Sequence, residues 1–456
     1  MISFENVTKR DWKYELMGQY VRFAHNNVFY NKFYVLHRDR IPKGKPVVAI
    51  SNHQNGLSDA LGILFALYPD GRRPVFIARA DIFRKDLWAK LLRFLKIMPA
   101  FRARDKWAGG DLDENNAIFN RAARILAKEN GIVGLFPEAG HQDCRTLGTF
   151  KKGFARIAFQ AAEMSNFEKT IYILPMGNHY SNYFSFQAKL IITIGEPFEF
   201  SDLYEIYKEF PEKAQKMLAD RARPKIEELM LNIKDLEHYE HYEMLRTMYC
   251  SDYLKSKKES VTYFPNRLEA DKKIVLAVEN LQKEKPEQFE ELMTDTFKYI
   301  RDLEKMHLRD WIFRQKVSFG STVLRFLFAL VLIPAIIFGF VNNFIPFNAS
   351  TLITRKIKDP MLHSSFHIVM GILFAFPLWY LAIFITALCL TTWWIALIYT
   401  ALLPISLIIY LHGKVYWKKL YNLIRRFRFI FTGNRYFREA TELRKKIINV
   451  LNEIVE

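Results

Sequence analysis

Cysteine is scarce in this sequence: three occur among 456 residues, at Cys144, Cys250 and Cys389. They are far apart and form no CxxC pair, which argues against a disulfide framework and against a thiolate zinc site. The start of the chain lacks the apolar core of a signal peptide, so we expect the N-terminal half to stay in a reducing cytoplasm. Acidic residues are outnumbered, 48 against 66 Lys and Arg. The resulting net charge of +18 favours an anionic partner, such as nucleic acid, membrane phosphates or a phosphorylated substrate.

Charge is missing altogether from Pro360 to Gly413. One bilayer crossing needs about 20 apolar residues, so two crossings fit, at about 366–390 and 393–411. A buried helix pair of a soluble protein is the alternative, but such helices rarely lack charge over this length. A second charge-free stretch, Phe326–Thr354, is interrupted by proline, glycine and Asn342-Asn343. We expect it to cross with a kink or to be re-entrant over about 322–348.

Basic residues flank each of these stretches, and the positive-inside bias would keep all of them cytoplasmic. A first segment that turns back at Asn342-Asn343, followed by a hairpin of two crossings, satisfies that bias, whereas three full crossings would export the most basic flank. That flank, residues 414–456, has eleven Lys or Arg against four Asp or Glu, interleaved with aromatic residues. We interpret it as a basic interfacial tail on anionic headgroups, with an ordinary solvated helix as the alternative.

The rest of the chain divides into two regions of different character. Over residues 1–200, short apolar runs alternate with helical periodicity, which predicts an α/β domain with a mixed or parallel sheet. Residues 201–318 are rich in Glu, Lys, Leu and Tyr, which predicts a helical accessory region before the membrane segments of 319–413. His238 and His241 have metal-ligand spacing, but no second pair accompanies them. A solvated helix explains them better, so we expect no metal site.

A histidine and an aspartate follow the predicted strand that ends at Ile50, where such sheets usually carry their chemistry. His53 could act as a general base, and Asp59 could orient its imidazole. On an ideal helix the two residues would lie on different faces, so the loop at Gly56 would have to fold His53 back. A structural His–Asp pair without catalytic function is the alternative.

Charged residues in the next two loops suit a phosphate-bearing substrate. Arg102 and Arg104 alternate, so in an extended chain they share one side and could grip a phosphate; surface ion pairs are the alternative. The third loop follows Phe136 and leads into a helix whose N-terminus favours anions. Its candidate binding residues are Glu138, Gly140, His141, Lys151 and Lys152. A plain strand–helix turn with a basic cap is the alternative there.

Taken together and in order, these loops resemble the motif blocks of the glycerophospholipid acyltransferase family. Asn52-His53 followed by Asp59 matches the first block, with five intervening residues where four are usual. Five-residue spacing occurs in a branch that resembles the fungal glycerol-phosphate and dihydroxyacetone-phosphate enzymes. The Arg102/Arg104 stretch matches the second block, Phe136-Pro137-Glu138 the third and Leu174-Pro175-Met176 the fourth. The resemblance covers roughly residues 20–200.

The third block departs from the family pattern at three positions. Ala139, Gly140 and His141 stand where glycine, threonine and arginine are usual. If the resemblance holds, phosphate binding would therefore rely more on the remaining cations, Arg102, Arg104, Lys151 and Lys152. The membrane region and the helical accessory region also look like the long-tailed branch of the family, though less specifically.

The resemblance implies an integral membrane O-acyltransferase of phospholipid (phosphatidate) biosynthesis, with its catalytic domain on the cytoplasmic face. It would move a fatty acyl group from acyl-CoA or acyl carrier protein to a hydroxyl of glycerol 3-phosphate or 1-acylglycerol 3-phosphate. His53 would be the general base and Asp59 its partner, with no cofactor beyond the acyl thioester. The expected partners are membrane lipids, the thioester donor and a glycerol-phosphate-type acceptor, and not nucleic acid. The alternatives are another lysolipid or aminolipid acceptor, or a non-catalytic membrane scaffold.

Overall fold

The computed structural model describes residues 7–9, 11–83, 86–100, 112–138, 140, 144–183, 185–315, 317–355 and 363–455. They form two compact units. Unit 1 comprises Met1–Asn232 with Ile357–Ile368, and unit 2 comprises Ile233–Lys356 with Val369–Glu456. Unit 1 thus contains the region predicted as α/β and continues past residue 200.

Unit 1 is built on a mixed sheet, so the predicted α/β class is confirmed. The described strands are β1 (Tyr30–Leu36), β2 (Val47–Ser51), β3 (Val75–Arg79), β4 (Ile97–Ala100), β5 (Ile132–Leu135), β6 (Tyr172–Tyr180) and β7 (Ala188–Ile194). Their order is β1-β7-β6-β2-β5-β3-β4. Neighbouring strands are parallel except β6 and β7, which are antiparallel. The central strands are continuous apolar runs because helices cover both faces of such sheets.

Unit 1 has eight described α-helices. They are α1 (Trp12–Phe23), α2 (Gly56–Leu67), α3 (Asp86–Phe94), α4 (Leu112–Glu129), α5 (Gly153–Met164), α6 (Tyr204–Glu209), α7 (Pro211–Glu227) and the short α14 (His363–Phe366). Of these, α2, α3, α4, α5 and α7 pack on this sheet. The main core lies between the sheet and α4, α5 and α7, and includes Val48, Ala122, Phe159 and Leu218. Burial of one large apolar side chain contributes about 1.5–3 kcal/mol to the free energy of folding. The many buried side chains of this core therefore hold the strand ends in fixed positions.

The register of β2 decides which loops meet. β2 lies between β5 and β6, and Ile50 pairs with Leu135 on one side and with Pro175 on the other. The loops that begin at Asn52 and Phe136 therefore leave the same edge of the sheet side by side. β6 continues four residues beyond Met176, the partner of Ser51, so its last residues lie beside the loop after β2.

Unit 2 is helical, as predicted for the region after the α/β domain. Its described helices are α8 (Tyr239–Ser256), α9 (Phe264–Glu284), α10 (Pro286–Lys305), α11 (Trp311–Arg314), α12 (Phe319–Val331), α13 (Ile333–Thr354), α15 (Phe376–Leu390), α16 (Trp393–Phe431) and α17 (Arg435–Ile454). The basic tail is divided between two of them. Its first part continues α16, whereas α17 buries Ala440, Ile447 and Leu451, and its Lys446 pairs with Glu291 and Asp295 of α10.

Two helical stretches are long and apolar enough to cross a membrane, His367–Leu390 and Trp393–Phe431. They begin where the sequence predicted two crossings, and this indicates membrane association. α12 and α13 together also meet the length and hydropathy needed for a crossing, with a bend of 47° between them. That bend adjoins Leu332, the residue between the two helices.

The predicted turn at Asn342-Asn343 is wrong, because α13 continues through both residues. Their side-chain amides have partners and so do not force the helix to break. Asn343 donates to Ser406 Oγ (3.0 Å) and accepts from Tyr380 Oη (2.6 Å), and Asn342 accepts from Tyr399 Oη (2.6 Å). Asparagine in an apolar helix is costly only where it lacks such partners.

Candidate active site

The loop after β2 brings His53 and Asp59 into contact. His53 Nδ1 lies 2.9 Å from Asp59 Oδ2, although the two residues are six apart. Gly56, at the start of α2, has a φ of 49°, in the left-handed region that favours glycine. This conformation reverses the chain between the two side chains. The imidazole is 17% exposed, whereas the carboxylate is fully buried, so only the histidine of the pair faces outward.

Asp59 is held by four donors. Oδ2 accepts the backbone N–H groups of Gln54 and Asn55, each at 2.7 Å, and the Nδ1–H of His53. Oδ1 accepts the hydroxyl of Tyr180 at 2.5 Å. Burial and the nearby Asp59 carboxylate raise the pKa of Tyr180 well above its usual value, so this hydroxyl remains a donor. Since a carboxylate only accepts, the shared proton belongs on Nδ1, and Nε2 is the nitrogen left to take a proton.

Glu138 links the loop after β5 to the loop after β2, which carries His53. Its Oε1 accepts the backbone N–H of His53 and its Oε2 that of Gly148, both at 2.7 Å. Burial raises the pKa of Glu138 to about 7, against the opposing effect of these two amides. The ring of Phe136 stacks on the His53 imidazole with centroids 4.1 Å apart. The loop after β5 thus supports the histidine from two directions, and a direct role of Glu138 in substrate binding stays a prediction.

The other predicted binding residues have varied surroundings. Arg102, Arg104 and His141 lie outside the described residues. Lys151 is exposed, and its backbone N–H donates to Pro137 O at 2.8 Å, which ties the start of α5 to the Glu138 loop. Lys152 Nζ lies 3.6 Å from Glu212 Oε2, so the two side chains form an ion pair. A Cβ added at Gly140 would meet nothing within 4 Å among the described atoms, so space does not require glycine there.

Several residues that frame the site were missed by the sequence analysis. Asn52 and Asn178 are joined by three hydrogen bonds: Asn178 N donates to Asn52 Oδ1 (2.7 Å), Asn52 Nδ2 to Asn178 O (3.0 Å) and Asn178 Nδ2 to Asn52 O (3.2 Å). Tyr183 donates to Gln54 Oε1 at 2.8 Å, and the buried Arg145 guanidinium lies 5.0 Å from the Tyr183 ring centroid. The available signal was the polar end of β6, where Asn178 and Tyr180 follow an apolar run.

A residue far along the chain completes the first turn of α2. The backbone N–H of Leu57 donates to Ser365 Oγ of α14 at 2.8 Å, across 308 residues. The first N–H groups of a helix have no partner within the helix, and Asn55 makes no side-chain cap here. Ser365 therefore caps the helix that carries Asp59, two residues before the stretch that begins at His367.

An apolar cleft lies between α1 and α2, beside this first turn. Its lining includes Val21 of α1, Leu57, Leu61 and Phe65 of α2, and Phe94 of α3. Among the described residues, no charged side chain lines it. Its composition suits a hydrocarbon chain, but its volume of about 40 Å³ is far below the roughly 300–1,000 Å³ of ligand pockets, so it would have to widen to hold one.

A second histidine, His25, is fully buried near the Asp59 network. Its ring packs against Tyr30, Phe33 and Phe65, with centroids 4.8, 5.8 and 5.2 Å away. Its Nδ1 lies 2.7 Å from Asn26 Oδ1, and its Nε2 has no hydrogen-bond partner in the part of the chain that the structure describes. Burial lowers the pKa of His25 to about 4.

Acidification should therefore destabilise the protein through His25. The unfolded chain takes up the proton near pH 6.5 and the folded chain only near pH 4, so stability is complete above pH 6.5 and falls as the pH drops through this window. Between pH 6.5 and 5 the loss is about 2 kcal/mol. We expect His25→Gln to have a shallower pH dependence of its thermal unfolding midpoint than wild type, measured in detergent from pH 7 to pH 5. Equal slopes for the two proteins would contradict this account.

The family comparison fits this geometry. A family model described as Acyltransferase matches residues 32–178, from β1 to Asn178 of β6. This range includes His53, Asp59 and Glu138. Residues 32–178 therefore match an acyltransferase domain, in agreement with the motif blocks of the sequence.

Individual relatives are more distant. The chain is 28% identical over 120 residues to "Glycerol-3-phosphate O-acyltransferase 2" of Saccharomyces cerevisiae, a match that spans 26% of this chain and 16% of the yeast protein. Among solved structures, it is similar to the 1-acyl-sn-glycerophosphate (LPA) acyltransferase PlsC from Thermotoga maritima. That likeness has 18% identity and a TM-score of 0.31, and it covers 50% of this chain and 86% of PlsC. At this score it adds nothing to the assignment, which comes from the family model.

Proposed function

We propose that the protein is a membrane O-acyltransferase that acts on a glycerol-phosphate-type acceptor. The donor would be a fatty acyl thioester, acyl-CoA or acyl carrier protein, and the acceptor glycerol 3-phosphate or 1-acylglycerol 3-phosphate. The observation that carries the proposal is the His53–Asp59 pair in the loop after the central strand β2, whose carboxylate accepts from three further donors.

The proposed chemistry uses the pair as a general base. His53 Nε2 takes the proton of the acceptor hydroxyl as that oxygen attacks the thioester carbonyl, and Asp59 stabilises the imidazolium that forms. The tetrahedral intermediate then expels the thiolate, which receives the same proton from the imidazolium. The products are an ester and a free thiol, so no covalent acyl-enzyme is required. General-base catalysis of this kind contributes about 10²–10⁴ in rate.

The acyl chain and the acceptor phosphate would occupy different surroundings. We propose that the acyl chain binds along the apolar cleft between α1 and α2, which its entry would widen, because the lining includes Leu57, two residues from Asp59. We assign the acceptor phosphate to Arg102 and Arg104, because alternating arginines would present two guanidinium forks on the same side if the chain there is extended. Lys151 is proposed as a weaker contributor, being a point charge on a flexible stem.

Arg102→Ala and Arg104→Ala should raise the KM for the acceptor more than the KM for the donor. A charge-assisted hydrogen bond contributes about 1.5–3 kcal/mol, so each change should raise the acceptor KM by about 10–150-fold. Steady-state kinetics with each substrate varied in turn measures this, with Lys151→Ala as the milder comparison. A rise confined to the donor KM would reassign the arginines to the phosphates of the carrier.

The membrane arrangement is also a proposal. We expect the catalytic domain and the tail on the cytoplasmic face, because basic residues flank every apolar stretch. Single cysteines at Ser350, Thr391 and Asn434, in a variant without the three native cysteines, can be labelled with an impermeant reagent. If α12 and α13, which are bent by 47°, return to the side from which they start, only Thr391 should react from outside. Labelling of Asn434 from outside would mean that this bent pair crosses the membrane completely.

The decisive experiment is an assay of the purified full chain with both acceptors and both donors. We expect ester formation with at least one pair and none in the His53→Ala protein. Transfer only to a lysolipid without phosphate would support the proposed acyl-transfer mechanism. It would also show that the acceptor is not of the glycerol-phosphate type. If no tested thioester is consumed by a folded, membrane-reconstituted protein, the enzymatic proposal fails.

A further inference from the structure

Unit 2 contains a pocket between α11, α12 and α16. Its volume is about 310 Å³, within the roughly 300–1,000 Å³ of ligand sites. The described lining residues are Trp311 of α11, Gln315, Arg325 of α12, and Tyr416, Lys419, Leu420 and Leu423 of α16. The four from α16 follow one another at helical spacing and therefore share one face of that helix. The pocket thus combines two cations with aromatic and aliphatic walls.

Contacts that do not need the two charged groups hold the pocket together. Tyr416 Oη donates to the backbone oxygen of Arg325 at 3.2 Å and so joins α16 to α12. The rings of Phe326 and Trp417 also meet across these helices, with centroids 6.1 Å apart. The pocket should therefore persist when the guanidinium of Arg325 and the ammonium of Lys419 are removed.

No carboxylate of α11, α12 or α16 can neutralise these cations. The sequence has no Asp or Glu over residues 311–358 or over residues 360–438. Asp310, which precedes Trp311, is buried, and its Oδ1 lies 2.8 Å from Arg444 Nε. Among the described residues, none that lines the pocket is acidic. The pocket would therefore attract an anion from outside the chain.

The position of the pocket along its helices matches the headgroup layer of a bilayer. Arg325 directly precedes the charge-free residues 326–354. On α16 the charge-free stretch ends at Gly413, and Lys419 follows six residues later, about 9 Å along the helix axis. The headgroup layer extends about 5–8 Å from the hydrocarbon. Helical side chains lean toward the N-terminus, so the Lys419 ammonium would reach back into this layer.

We propose that this pocket binds the headgroup of one anionic phospholipid. Arg325 offers two parallel donors to the lipid phosphate, and Lys419 offers a point charge. Leu420 and Leu423 contact the glycerol and the first carbons of an acyl chain, and Trp311 lies at the depth where tryptophan is common in membrane proteins. Basic pockets between membrane helices are typical sites for such headgroups. A free phosphate ion would use the cations and leave the apolar walls unoccupied.

This site differs from a general attraction of the basic tail to the leaflet. A general attraction depends on the number of cations, whereas the pocket depends on Arg325 and Lys419 in particular and holds one lipid. Lys414 and Lys418 provide the contrast, because they are exposed on α16 and do not line the pocket. The site is also independent of the proposed acyl transfer.

Native mass spectrometry of the purified full chain in a neutral detergent tests the site. Phosphatidylglycerol is added in steps, and the first lipid bound gives a Kd. The double variant Arg325→Gln, Lys419→Gln should weaken this step by about 30-fold, since each basic residue near a lipid surface contributes about fivefold. The matched control, Lys414→Gln with Lys418→Gln, removes the same charge and should leave the Kd nearly unchanged, because solvent and salt screen cations that do not contact the lipid.

Two competitors identify the occupant. Phosphatidylcholine, whose choline cancels the charge of its phosphate, should bind more weakly than phosphatidylglycerol, and equal affinity would overturn the proposal. An excess of inorganic phosphate should leave the lipid bound, and its displacement would mean that the pocket is an anion site without a lipid.

The variants supply the other outcomes that would overturn the proposal. Equal weakening in the two double variants would mean a diffuse attraction to the basic tail, and an unchanged Kd in the pocket variant would place the lipid elsewhere. Thermal unfolding of the lipid-free proteins checks that the variants fold. If the double variant does not fold, Arg325→Gln and Lys419→Gln are measured singly, and each should weaken the first step by about fivefold.

Discussion

His53→Ala should lower the rate of acyl transfer by about 10²–10⁴, the usual contribution of a positioned general base. The loss should appear in kcat, because the imidazole acts on the acceptor proton during the reaction. The expected loss is larger if His53 and Asp59 act as a unit. Folding should be preserved, since the imidazole is partly exposed and the backbone bond from its N–H to Glu138 does not need the side chain.

A matched substitution controls for histidine loss elsewhere in unit 1. His37 is exposed, on the turn after β1, with a φ of 59° that asparagine tolerates well. His37→Asn should therefore keep wild-type kinetics. The two variants are compared by single-turnover acyl transfer in nanodiscs, with thermal unfolding as the check on folding. Near wild-type turnover by a folded His53→Ala protein would rule out the general-base mechanism.

Asp59→Asn should be comparably severe, about 10²–10⁴ in kcat, while changing the structure little. The amide oxygen can keep the position that accepts from Gln54, Asn55 and His53, and the new NH₂ group can donate to the Tyr180 hydroxyl, which is able to turn and accept. The contacts would survive and the negative charge would not. The imidazolium formed during the reaction would then lack its counter-charge.

Tyr180→Phe provides the graded comparison for Asp59→Asn. It removes one of four donors and leaves the carboxylate charged, so we expect kcat to fall by about tenfold, in line with one hydrogen bond to a charged group. Measurement of both variants over a range of pH separates loss of charge from loss of position. Asp59→Asn with kinetics like those of Tyr180→Phe would mean that Asp59 only orients the ring.

Local features of the site were accessible from the sequence, and long-range ones were not. His53 and Asp59 belong to one loop, so their relation needs only a reversal at Gly56. The bond from Tyr180 to Asp59 spans 121 residues and depends on how far β6 runs past the end of β2. Glu138 was identified as a candidate, but its bond to the His53 N–H depends on β5 lying beside β2. Apolar runs and periodicity carry no such register information.

In the membrane region too, composition was predictable from the sequence and long-range pairing was not. The absence of charge predicted the start of both apolar stretches correctly, because burial in lipid is a property of composition. Asn342-Asn343 suggested a turn, because two amides in lipid are costly when alone. Their partners Tyr380, Tyr399 and Ser406 lie on helices 37 to 63 residues away, and sequence distance gives no sign of that pairing.

The cap on α2 has a consequence for how the protein is made. Leu57 leaves the ribosome 308 residues before Ser365, so at about 5–20 residues per second helix α2 waits roughly 15–60 s for its cap. Ser365 emerges immediately ahead of the stretch that begins at His367. In the proposed membrane arrangement, this cap on α2 forms only as that stretch is about to be inserted, so biosynthesis itself would delay a finished site until the chain has reached a membrane.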